Sequence, residues 1–233
     1  MKQQQGATLI TVLIILVLVT LLGTIAVKSG ILGLKIATNS QVNALLMGNS
    51  DSALFNIENP DQVARQLALD GMFAYFNSSA NANDELVFCY RATQSSFYAF
   101  SKASAISIDA SGNVSSTTKI GVDGYCKANQ FAMGRSAVLS QVYLTKNTTA
   151  SIPFSSVPKG TSLGQSNVPT TTINIGATVI SVLPSFAGAT TTQIESCFKQ
   201  RASAVGTCFE GLNIPYNMQH SDYTVGGQPK LVS

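Results

Sequence analysis

The sequence predicts an α+β protein: one long N-terminal helix laid against an antiparallel β-sheet domain closed by two disulfides. Three observations lead there. From Ala7 to Val27 the chain carries no charge and no proline, and about 20 apolar residues suffice to cross the hydrocarbon core of a bilayer as a helix. Beyond Leu86 the apolar residues alternate in short runs separated by turn residues, the pattern of half-buried strands. Four cysteines, Cys89, Cys126, Cys197 and Cys208, all lie downstream of the apolar run.

The bulk composition excludes some classes. A formal charge of +3 with only 11% charged residues gives a field too weak for a nucleic-acid binder, and no direct nucleic-acid binding is expected. The hydrophobic excess is concentrated at the N-terminus. Downstream, Ser, Thr, Asn, Gln and Gly are abundant but apolar runs recur, which suits a β-rich exported domain and not a disordered tail.

The helix comes first. Met1 to Gly6 form a polar leader with one basic side chain, Lys2, which favours a cytoplasmic leader and an exported remainder. A cleaved secretory signal is disfavoured, because the apolar run exceeds the usual ~7–15 residues and no small-x-small site follows it. Ile31, Leu32 and Leu34 instead carry the apolar pattern past Lys28. Continued to about Asn56, the helix is roughly 50 residues and about 75 Å long. Along it Gly23, Ala26, Gly30, Gly33, Ala37, Ser40, Ala44 and Gly48 recur at steps of three and four, one stripe on which another helix can approach closely. The competing reading is a flexible joint, since each glycine weakens a helix by about 1 kcal/mol. Val42, Leu45 and Leu46 fall away from the stripe and are expected to dock the helix on the globular domain.

The order of leader, glycine and apolar run carries a resemblance. Gly6-Ala7-Thr8-Leu9-Ile10 resembles the type III signal of type IV prepilins. The resemblance implies that a prepilin peptidase cuts between Gly6 and Ala7 and methylates the new terminus at Ala7. It also implies that the apolar helix stays on the mature protein, first as an anchor and then as filament core. Two positions depart from the family pattern: Ala7 replaces the usual Phe, and Thr11 stands where the fifth mature residue is usually Glu. That Glu neutralises the ammonium terminus of a neighbouring subunit within hydrocarbon, where an unpaired charge costs at least a few kcal/mol. A subunit without it suits a filament tip better than a repeating shaft. The chain is in this respect similar to PilX-type minor pilins, firmly over its first 35 or so residues.

Downstream of the helix, Asn59-Pro60-Asp61 is a break, and Pro60 to Phe76 reads as a second helix with Val63, Leu67, Met72 and Phe76 near one face. Strands are predicted at Leu86–Tyr90, Ser96–Phe100, Ala105–Ile108, Val114–Ile120, Ala137–Leu144 and Thr172–Leu183, with a turn at Ser111-Gly112-Asn113. Ser151–Thr170 reads as an extended loop, Thr191–Ala204 as a short helix, and Gly226 onward as a loose end. The cysteines admit three pairings, of which Cys89–Cys126 and Cys197–Cys208 close the shorter loops. A four-cysteine zinc site is disfavoured, since no Cys-x-x-Cys occurs.

No catalytic constellation stands out. The one histidine, His220, has Asp222 two positions on, but no nucleophile elbow, phosphate-cradling loop or calcium loop accompanies it. No cofactor and no metal are expected, and the protein is expected not to be an enzyme. The organisation expected is a leader at 1–6, a membrane span at 7–28, a periplasmic continuation of the helix at 29–58 and a globular periplasmic domain at 59–233. The resemblance implies a minor pilin in a tip complex that initiates pilus assembly and supports twitching motility, adhesion and DNA uptake. Its partners would be other minor pilins, the major pilin, the prepilin peptidase and the inner-membrane assembly machinery. It would sit in the inner membrane, single-pass, and reach the cell surface in the pilus. Two alternatives remain: a tip pseudopilin of a type II secretion system, and an uncleaved signal-anchored periplasmic binding protein.

Overall fold

The structure, a computed structural model, describes residues 5–59, 66, 71–94, 98–134, 137–147 and 172–226. It divides into two units, Met1–Ala44 and Leu45–Ser233. Helix α1, Gln5–Ile57, begins in the first and ends in the second. It stops just ahead of Asn59-Pro60 because the residue before a proline is sterically pushed out of the helical region.

The second unit is built on a six-stranded antiparallel sheet. Its strands are β1 (Glu85–Tyr90), β2 (Ser104–Ile108), β3 (Val114–Ser116), β4 (Leu139–Lys146), β5 (Thr172–Val182) and β6 (Tyr216–Gly226), in the order β3-β2-β1-β4-β5-β6. Helices α2 (Thr191–Phe198) and α3 (Ala202–Gly211) lie between β5 and β6 in sequence.

Both faces of the sheet are covered. On one, Leu86, Phe88, Tyr90, Val142, Leu144, Ile175, Ala177 and Val179 meet Ala53 and Ile57 of α1. On the other, Val87, Cys89, Tyr143, Ile180 and Val182 meet Ile194, Phe198, Val205 and Phe209 of α2 and α3. The alternation follows the two-residue period of a strand. Because both faces are dry, all six positions of β1 are buried, and it reads as a continuous apolar run.

Polar stitches fix the end of α1. Ser50 Oγ donates to Ser181 Oγ at 2.8 Å, and Ser181 Oγ lies 2.7 Å from Ser140 Oγ. The hydroxyls of Ser52 and Tyr90 lie 2.7 Å apart, and Tyr98 donates to the Ala53 carbonyl at 3.1 Å. Leu46 is fully buried and Leu45 half-buried, so both serve the docking face anticipated for them.

Local chemistry accounts for the short helices. Thr190 and Gln193 form a reciprocal capping box at the start of α2. Helix α3 has no side-chain cap of its own; the Glu85 carboxylate of β1 accepts the Ala202 N–H at 2.9 Å and the Arg201 Nε at 3.3 Å. An anion there also complements the helix dipole.

Several elements differ from expectation. The predicted strand at Ser96–Phe100 is, where described, a turn at Tyr98 leading into a 3-10 turn at Phe100–Lys102. The strand from Val114 ends at Ser116 instead of Ile120, and Lys119 turns instead to Asp84 at 2.7 Å. The helix predicted over Thr191–Ala204 is two helices, joined at Lys199–Arg201. Of the predicted helix at Pro60–Phe76, residues 60–65 and 67–70 lie outside the described residues; Gln66 is helical and Ala74–Asn77 form a 3-10 turn. The loop predicted at Ser151–Thr170 also lies outside them. β6 had no counterpart in the sequence reading.

Candidate functional surface

The N-terminal helix is the first candidate. From Thr8 it is long and apolar enough to cross a membrane, with a mean hydropathy of 3.0 over its most apolar stretch and none of that stretch buried by the rest of the chain. Residues 8–27 rise about 30 Å, the thickness of a hydrocarbon core. The three threonines from Thr11 to Thr24 satisfy themselves. Thr11 donates to the Thr8 carbonyl at 2.9 Å, Thr20 to Val17 at 2.9 Å and Thr24 to Leu21 at 2.8 Å. A polar group in lipid without a partner costs several kcal/mol, so these bonds let the helix sit in hydrocarbon alone.

Past Lys28 the apolar surface continues. Leu34 is 69% and Ile36 63% exposed, and Ile31 and Leu32 are exposed with them. All eight positions of the small-residue stripe, from Gly23 to Gly48, are exposed. A Cβ added at Gly23, Gly30, Gly33 or Gly48 would meet nothing within 4 Å. Among the described residues no contact therefore requires a glycine at any of these four positions. Gly48 lies across the helix from the buried Leu46 and Ser50, so the stripe at this point faces away from the sheet. Of the expected cleavage site, the surroundings of Gly6 and of the Ala7 side chain lie outside what is described.

The domain holds the remaining candidates. The cysteines form two bridges, Cys89–Cys126 with Cα atoms 4.8 Å apart and Cys197–Cys208 at 5.6 Å. The first ties β1 to the segment after β3; the second ties α2 to α3. Loops of these lengths give about 3–4 kcal/mol each in the chain-entropy account, and such bridges persist in oxidising compartments. The bridges thus mark the domain as extracytoplasmic. Among the described residues no three of His, Cys, Asp and Glu gather as a metal site.

Two buried carboxylates open β1. Asp84, 2% exposed, accepts from Tyr75 and pairs with Lys119 at 2.7 Å. Glu85, 4% exposed, is held by Arg201 and the Ala202 N–H as above. Lys146, Asp109 and Gly112 join them around a cavity of about 350 Å³. Every charged group there is engaged: Asp109 accepts from the N–H groups of Ser111 and Asn113, and Lys146 donates to the Phe76 carbonyl. The cluster is a fastening between β1, the β2–β3 turn and α3.

His220 sits on the solvent side of β6. Its Nδ1 lies 2.8 Å from Thr178 Oγ1 and its Nε2 3.3 Å from Asp222 Oδ1, which also accepts from Asn147 at 3.1 Å. His220 and Asp222 are both more than half exposed. The order hydroxyl–imidazole–carboxylate is present, but the site is open to water and Gly176 forms its floor.

Burial holds four of the tyrosines protonated. Tyr98 and Tyr143 are pushed well above the ordinary phenol value, chiefly by desolvation. Tyr75 and Tyr125 are raised by desolvation too, helped by Asp84 and Glu85 respectively. Above about pH 10 the unfolded chain loses phenolic protons that the folded chain keeps, so stability is complete below that pH and falls as pH rises beyond it. In an alkaline titration these four are expected to ionise only as circular dichroism reports unfolding. Reversible ionisation of all seven tyrosines near pH 10, with the fold intact, would contradict this.

No protein-family model, curated protein or solved structure matches this chain. The architecture stands on its own geometry: a long N-terminal apolar helix whose far end packs on an antiparallel sheet is pilin-like.

Proposed function

We propose that this chain is a minor pilin of a type IV pilus, a structural subunit of the tip complex that primes assembly. The observation that carries the reading is the unused stripe on α1. Glycines within a helix cost about 1 kcal/mol each relative to alanine, and among the described residues no contact needs the four at Gly23, Gly30, Gly33 and Gly48. A second helix approaching closely along the stripe is the partner that small residues suit. The exposed Ile31, Leu32, Leu34 and Ile36 extend that surface beyond the span, where lipid no longer covers it.

The mechanism is binding and not catalysis. The helix holds the subunit in the inner membrane, its domain in the periplasm, until partner helices of other minor pilins and the major pilin replace the lipid. Thr11 in place of Glu leaves this subunit unable to neutralise a neighbour's terminus, which suits a position at the tip. Its self-satisfied hydroxyl makes that position tolerable in hydrocarbon. Twitching, adhesion and DNA uptake depend on the subunit through the filament it starts.

The test is Gly6→Val, which removes the small residue ahead of the cut. The wild-type protein is expected in filaments sheared from the cell surface. The variant is expected to keep its leader, remain in the inner membrane and be missing from that fraction. Equal amounts of both in sheared filaments would refute the assignment.

A further inference from the structure

A second cavity, of about 210 Å³, lies beside the first disulfide and is lined by Cys89, Arg91, Gln94, Lys102, Asp123 and Gln130. It differs from the larger one in what its charges do. Among the described residues, the Arg91 side chain makes no hydrogen bond or ion pair, and its Nε is buried without a partner, while its carbonyl accepts the Gln94 N–H at 2.9 Å. Asp123 lines the same cavity and likewise makes none. The two opposite charges face one space without closing on each other. Gln130 is held by its oxygen, which accepts the Lys127 N–H at 3.1 Å, leaving its amide nitrogen as a donor.

We infer that this cavity binds a carboxylated monosaccharide. A guanidinium fork takes a carboxylate bidentately. Asp123 accepts from hydroxyls, and the carboxamides of Gln94 and Gln130 serve as both donors and acceptors. Apart from the Cys89 side chain, the described lining residues are all polar or charged, so an amino acid with an apolar side chain gains little from them and a polyhydroxylated acid gains most. The volume is below the ~300–1,000 Å³ of drug-sized sites. It suits one sugar ring, with the rest of a glycan left in solvent, and so implies weak binding.

The disulfide sets the geometry. Arg91 follows Cys89 by two residues, just past the end of β1, and Asp123 precedes Cys126 by three, so the Cys89–Cys126 bridge helps hold the cationic and anionic walls at their distance. It acts together with the Gly124 N–H bond to Ser104 Oγ at 3.0 Å and the Cys126 N–H bond to Gln141 Oε1 at 2.8 Å, which hold the Asp123 segment to the sheet.

The inference concerns the domain alone, so its failure leaves the filament reading untouched. Saturation-transfer NMR on the full chain in detergent, with glucuronate as probe, tests it. Transfer to glucuronate is expected, with glucose and acetate each binding at least about tenfold more weakly, since each lacks one half of the recognised pattern. Arg91→Gln is expected to weaken glucuronate about tenfold or more, with Arg91→Lys intermediate, because lysine restores charge but not the fork. Asp123→Asn, at an exposed position, serves if an Arg91 variant unfolds and is expected to cut affinity several-fold. The proposal is overturned if glucuronate shows no transfer, if glucose or acetate binds equally well, or if folded Arg91→Gln or Asp123→Asn proteins bind as the wild type does.

Discussion

Gly124→Ala is expected to destabilise the domain by at least about 3 kcal/mol, enough to lower its melting temperature by about 10 °C. The segment carrying Gly124 lies against the β1–β2 pair, where Val87 is in register with Ser104. A Cβ at Gly124 would come 2.2 Å from the Val87 carbonyl oxygen and 2.3 Å from the Ser104 nitrogen. Both are main-chain atoms of paired strands, so no side-chain rotation relieves the clash. The segment cannot simply lift away either. Its Gly124 N–H donates to Ser104 Oγ at 3.0 Å, and the Cys126 bridge to Cys89 anchors it two residues on. Either the bridge region or the β1–β2 ladder must give. Gly134→Ala is the control: its Cβ would meet nothing within 4 Å, and the change is expected to be near neutral. Thermal melts of the two variants followed by circular dichroism separate the cases, and similar melting temperatures would contradict the account.

Gln141→Leu is expected to cost about 2–4 kcal/mol although it replaces a buried polar residue with an apolar one of similar size. Gln141 is fully buried in β4. Its Oε1 accepts the Cys126 N–H at 2.8 Å, and its Nε2 donates to the Phe198 carbonyl at 2.7 Å and to the Tyr143 hydroxyl. One carboxamide thus joins the first disulfide's loop to the end of α2. Leucine would leave the Cys126 N–H buried without a partner. The Phe198 carbonyl is partly spared, because Tyr143 also donates to it at 3.0 Å, which keeps the expected loss below that of removing the whole network. Urea unfolding should show a lower midpoint with an unchanged slope, and hydrogen exchange should speed up first at the Cys126 amide. A loss below about 1 kcal/mol would show that the site repacks without the hydrogen bonds.

Gln141 also shows where sequence reading stops. In Leu139–Lys146 a polar residue at an alternating position reads as solvent-facing, and only the cover of α2 and α3 makes it buried. β1, β4 and β5 were legible because their apolar residues dominate the local pattern. β6 was not: Asn217 to Asp222 is almost wholly polar, and its strand form is imposed by eleven register partners on β5. The break between α2 and α3 was hidden for a similar reason. Lys199–Arg201 is not a helix-breaking sequence, but Arg201 is drawn to Glu85 and the Gly112 carbonyl, and the Cys197–Cys208 bridge ties the two helices together. The spacing of small residues along α1 could be read from the sequence, and the structure adds that those positions are exposed. The polar cavity was not, because Arg91 and Asp123 are distant in sequence and meet only through the fold.

The central claim is that the apolar helix is the mature N-terminus of a processed subunit, and intact-mass and terminal-peptide mass spectrometry of membrane-extracted protein tests it most directly. A chain starting at N-methylated Ala7 is expected, with an unprocessed Met1 start in cells lacking the prepilin peptidase. A Met1 start that persists with the peptidase present, or a cut after Val27 that removes the helix, would contradict it.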